Sequence, residues 1–207
     1  MIVDKLMGLF RINKNFFVFL LGIVFLGVIF GSILPIFLSV DDKKLVSEYL
    51  IGFISDIKDG FISLIFFKNG LISDGLFLFL IWVLGISVIG IPIVLFLFFY
   101  KCFIFGFSIS SIIINYGFKG IIFSLSYVFP HQVINILIFL FLSSYSLIFS
   151  IRLMLFILRK FEFNIRVYFR KYLSILLVSC VGLFISILYE SFINPYVLGF
   201  IFNLIGI

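Results

Sequence analysis

The chain contains a single histidine, His131, within YVFPHQVINI (127–136) and directly after Pro130. An imidazole in apolar surroundings could ligate a metal, act as a base or pass a proton. A metal site needs three or four ligands, and a hydrolytic site needs a base beside a nucleophile or an activated water. On a helix His131 shares a face with Asn135, four residues on, which offers hydrogen bonds but no charge. With no second histidine, a zinc-binding HExxH arrangement is impossible. The plainer role is structural, because proline suits the first position of a helix and Pro130 would start one here.

Glu190, in YESFINP (189–195), is the other ionisable residue in an apolar block. A carboxylate inside a membrane is a functional candidate by default. Its place near the end of a block also suits an interfacial anchor, or a contact for a partner or for His131. Cys102 and Cys180 lie in separate apolar blocks without close Cys/His spacing and read as small core residues. The sequence has no phosphate loop, no G-x-S-x-G and no facing pair of carboxylates. The expectation is a chain with no catalytic residue, metal or cofactor of its own.

The elements that must position these residues belong to a membrane protein. Of 207 residues 64% are hydrophobic, and the mean hydropathy is +1.40. The apolar blocks are long enough for hydrocarbon, which takes roughly 20 helical residues to cross. Phenylalanine, at 33 residues, is abundant and alanine is absent, which reflects base composition more than mechanism. The net charge of +6 sits at the ends of the apolar blocks, where membrane topology explains it and a nucleic-acid partner does not.

The expected fold is all-α and polytopic, a single domain with about five crossings near 16–38, 75–99, 102–118, 131–151 and 172–192. The first block is too long, and lacks the small-residue cleavage site, for a removed signal. Pro92, with Gly90 before it, should kink the second crossing, and Lys101 should reach headgroups from the turn after it. Residues 120–130 are a short apolar piece, re-entrant or part of a helix. Segment 39–74 is the most polar stretch; Leu45, Tyr49, Ile51 and Ile54 give it the stripe of an amphipathic surface helix.

Lysine and arginine are concentrated in 1–15 and 152–171, so both should be cytoplasmic. Four blocks separate them, which puts 39–74 and the C-terminus outside. Gly27 and Gly31 form G-x-x-x-G, a pattern that lets two backbones approach, either within the bundle or in a homodimer through this face.

The order of these features resembles the stage II sporulation protein M family. The resemblance rests on GVIFG (27–31), WVLGISVIGIPIVLFLFFYKCFIFGF (82–107), NYGFKGIIFSLSYVFPHQ (115–132) and YESFINP (189–195). Broader relatives carry Pro-His-Gly-x-x-Glu. Here Pro130 and His131 match, Gln132 replaces the glycine and Asn135 the glutamate, so the carboxylate of that pattern is missing. Glu190 and Pro195 keep the terminal pattern.

The resemblance implies a scaffold in endospore formation, placed in the cell membrane at the sporulation septum and the engulfing membrane. It would position two peptidoglycan hydrolases, stage II sporulation proteins D and P, for septal wall remodelling, with 39–74 as their natural docking surface. The alternatives are a permease-like subunit with kinked helices along a path, and an intramembrane enzyme built on His131.

Overall fold

A computed structural model of the chain describes residues 14–58, 63–158 and 165–205, and every described element is helical. Much of both basic segments, including Lys5, Arg11, Arg159 and Lys160, lies outside the described residues.

Helix α1 (Lys14–Phe37) is apolar on every side. Phe19, Phe25 and Phe30 point outward, while Leu20, Gly27, Gly31 and Pro35 form a buried stripe. An apolar exterior is what a helix facing lipid requires. Ser39 caps the next helix, α2 (Val40–Lys58), by accepting a hydrogen bond from the Asp42 amide at 3.2 Å. Lys43 donates back to the Ile36 carbonyl at 2.9 Å, covering the frayed end of α1.

Helix α2 rests on the bundle through Val46 and Leu50, leaving Asp41, Asp42, Lys43, Lys44 and Glu48 exposed. The stripe expected from sequence is displaced: Leu45, Tyr49 and Ile51 are mostly exposed, and the side chain of Ile54 lies outside the described residues. A helix at a membrane surface can set apolar side chains toward lipid as well as toward protein, so period alone does not identify the seated face.

Helix α3 (Ser63–Gly85) begins well before the expected crossing and ends well before its expected limit. The turn 86–89 follows, and α4 (Gly90–Ile157) starts there. Gly90 and Pro92 therefore open a new helix instead of kinking an old one. A Cβ at position 90 would collide with the Leu84 carbonyl. Pro92 sits in the first turn, where its missing N–H has no intrahelical acceptor to leave empty.

Three side chains lock this turn. Ser146 donates to the Ile81 carbonyl at 3.0 Å, Ser150 to the carbonyls of Gly85 and Ser87 at 2.7 and 2.9 Å, and the Tyr172 hydroxyl to the Trp82 carbonyl at 2.8 Å.

Helix α4 runs as two arms broken at Gly117, whose φ of 57° and ψ of −133° suit only glycine. The arms fold back on each other, because Gly120 lies against Ile112 and the rings of Phe105 and Phe129 are 6.4 Å apart. In a straight helix those rings would be about 36 Å apart. The second arm, 118–157, passes unbroken through 120–130. Pro130 consequently lies inside a helix and does not begin one.

Helix α5 (Ile165–Leu188), a π-helical turn (Tyr189–Ile193) and α6 (Asn194–Ile205) complete the chain. Among the described residues four stretches are long and apolar enough to cross a membrane: Phe16–Phe37, Phe67–Gly85, Gly90–Ile157 and Ile165–Gly199, the third of them doubled back at Gly117.

The G-x-x-x-G face of α1 is used within the chain. A Cβ on Gly27 would stand 2.7 Å from Cys102 Cβ, and one on Gly31 would strike the Phe103 carbonyl. Gly106 reciprocates against Val28, and Ser110 donates to the Ser32 carbonyl at 2.7 Å. A homodimer through Gly27 and Gly31 would have to displace the first arm of α4. Cys102 is core as expected, whereas Cys180 is exposed on the bundle surface.

Candidate functional site: a buried charge network beneath a cavity

Two polar clusters occupy the bundle interior. In the first, Asp74 on α3 and Lys101 on the first arm of α4 form a salt bridge through Asp74 Oδ1. They are 7% and 8% exposed, so neither charge reaches solvent or headgroups. Asn135, on the second arm, donates its amide to Asp74 Oδ2 at 2.9 Å, so each carboxylate oxygen has a partner. The ammonium lies 5.4 Å from the ring centroids of both Phe77 and Phe139, whose faces favour a cation. An isolated charge here would cost many kcal/mol; pairing, the Asn135 hydrogen bond and the two aromatic faces make the charges tolerable.

Neither Asp74 nor Lys101 was a site residue on sequence grounds. By sequence Asp74 ends the polar segment 39–74 and Lys101 falls at the turn between two crossings. The available signal was their opposite sign, each solitary within its apolar neighbourhood.

In the second cluster, His131 Nε2 stands 3.3 Å from Glu190 Oε1. His131 Nδ1 lies 2.9 Å from the Tyr127 carbonyl, which also accepts from Asn194 Nδ2 at 3.0 Å. Glu190 projects from the π-helical turn, a local bulge often found at functional sites. Gly70 on α3 faces it, its Cβ position 3.9 Å from Glu190 Oε2. Pro195 follows in the first turn of α6 and is half-buried.

The expected His131–Asn135 pairing is not formed, because the Asn135 amide serves Asp74. The charged partner that the sequence pattern seemed to deny His131 comes from Glu190, 59 residues along the chain. The two clusters are near enough for the charges of Asp74 and Lys101 to act on Glu190.

Above the second cluster lies a cavity of about 510 Å³, bounded by Leu45, Tyr49 and Leu50 of α2 and by Ser108 and Ser111 of α4. His131 and Glu190 also line it. Its walls combine apolar side chains with the polar groups of Ser108, Ser111, His131, Gln132 and Glu190, a mixture found in binding sites. The Ser111 hydroxyl is buried and without a hydrogen-bond partner. Among the described residues no three His, Cys, Asp or Glu side chains are grouped to hold a metal ion.

Neither the curated proteins nor the solved structures include a match to this chain. Residues 15–195, which carry both clusters and all the elements that build them, match the family described as Stage II sporulation protein M; the chain belongs to that family.

Proposed function

We propose that this sporulation-family membrane protein is a non-catalytic scaffold that recruits and positions peptidoglycan hydrolases for septal wall remodelling and engulfment. The partners in this reading are stage II sporulation proteins D and P, and the place is the septal and engulfing membrane. The observation that carries it is α2: a capped helix held at one side by Val46 and Leu50, with Asp41, Asp42, Lys43, Lys44 and Glu48 exposed. With the basic segments in the cytoplasm, α2 lies on the outer face, where the wall is.

Replacing Asp41, Asp42, Lys43, Lys44 and Glu48 by serine should abolish co-purification of the hydrolases and septal localisation while leaving the protein in the membrane. Unchanged co-purification and localisation would sink this reading.

A second reading, a permease-like subunit, is favoured by the Asp74–Lys101–Asn135 cluster. Charged residues inside a membrane bundle commonly mark ion or substrate paths. Co-purification of an ATPase in place of a wall hydrolase would support it over the scaffold.

A further inference from the structure

We propose that His131 and Glu190 form a proton-binding site inside the bundle, loaded and emptied through the cavity beneath α2. The inference is independent of the scaffold reading and rests on which atoms face each other.

His131 Nδ1 points at the Tyr127 carbonyl, which can only accept a hydrogen bond. Nδ1 must therefore carry hydrogen. In the neutral imidazole of that tautomer Nε2 bears a lone pair, yet it faces the carboxyl oxygen Oε1 of Glu190 at 3.3 Å. A lone pair set against a carboxylate is repulsive in a low-dielectric interior. The arrangement is favourable when one proton lies between them, either on Nε2, giving imidazolium and carboxylate, or on Oε1, giving imidazole and carboxylic acid. Both forms of the pair are electrically neutral.

The surroundings require that neutrality. The other charged groups acting on Glu190 are Asp74 from α3 and Lys101 from the first arm of α4, which cancel each other. Tyr127, on the second arm, packs its ring 5.7 Å from the imidazole, and Tyr49 of α2 lines the same cavity. With the proton bound the whole set sums to zero; without it a net negative charge remains in the bundle.

The proton leaves to water in the cavity, which both residues line. No other bond forms or breaks. Departure leaves Nε2 and Oε1 repelling each other, so the tie between the second arm of α4 and the π-helical turn opens. Protonation closes it.

His131 is the only histidine, so nitrogen NMR of isotope-labelled histidine in the full-length protein reads this site alone. At neutral pH Nδ1 should bear hydrogen, and Nε2 should either bear hydrogen or accept a strong hydrogen bond. Raising the pH should remove the shared proton from between Nε2 and Oε1 and leave Nδ1 with its hydrogen. In E190Q the amide can donate to Nε2 but supplies no negative charge, so the pH dependence of the histidine signal should shift relative to wild type.

A wild-type spectrum with bare Nδ1 and protonated Nε2 across the titration overturns the proposal, and so does an unchanged titration in E190Q. Should E190Q fail to fold, the wild-type tautomer decides by itself. S111F, which narrows the cavity beside His131, should slow re-equilibration of the histidine signal after a pH jump. An unchanged rate would remove the cavity as the route.

Discussion

Asp74 and Lys101 close a salt bridge between two helices, although they are 27 residues apart in sequence and neither reaches the bundle surface. Removing one partner strands the other charge in the interior. D74A and K101A should each lose about 3–5 kcal/mol, the usual cost of breaking a buried pair. The double variant D74N/K101M removes both charges at similar volume and should recover most of that loss. Thermal unfolding in detergent, followed by fluorescence-detected size exclusion, checks this. Equal loss in single and double variants would mean the pair is not a unit.

The close contact between α1 and the first arm of α4 gives a prediction about assembly. G31L drives a side chain into the Phe103 carbonyl, where backbone cannot yield as a flexible side chain could. A loss of about 1–3 kcal/mol or more is expected from overpacking of this kind. Because the contact is within one chain, the mass of the detergent-solubilised particle should not change while stability falls. A particle that halves in protein mass without loss of stability would show that the glycines serve a dimer.

The fold-back at Gly117 rests on a backbone conformation that side chains oppose. G117V should destabilise by about 1–3 kcal/mol, the range for strained non-glycine dihedrals. Gly75, inside α3 with open space at its Cβ position, is the control. G75A should be neutral or slightly stabilising, since alanine is the better helix former. Both are measured as melting temperatures of the purified protein.

How much of this was legible in the sequence depends on whether a residue's meaning is local. The apolar blocks and the close-approach glycines Gly27 and Gly31 were readable, because hydropathy and small-residue spacing are properties of neighbouring positions. Asp74 reads as the end of the polar segment 39–74, although Lys68 is six residues away, and only its tertiary partner makes it an interior residue. Lys101 failed for the complementary reason.

The boundary of α3 moved with Asp74, and Gly90 and Pro92 then became the opening of α4 once the crossing ended at Gly85. Glu190 was noticed, but its assignment to His131 needed α5 and the second arm of α4 to lie side by side. The sequence pattern pointed to Asn135 as the missing carboxylate; in the structure that position serves a different cluster altogether.

Asn135 supplies the last prediction, because its amide is the partner of Asp74 Oδ2. N135A withdraws the donor from Asp74 Oδ2 and should lose about 1–3 kcal/mol, the cost of leaving a buried acceptor unsatisfied. N135E should be worse, since it sets a second carboxylate against Asp74 with only Lys101 to balance both. In the exchange variant D74N/N135E the negative charge moves from α3 to the second arm of α4 and the amide moves the other way. Lys101 then keeps one carboxylate partner, and the new amide can donate to it. Stability should return to within about 1 kcal/mol of wild type if the cluster is defined by its charge sum and hydrogen-bond count. Failure of the exchange, with N135A mild, would show that position 135 is held by shape and not by the charge of Asp74.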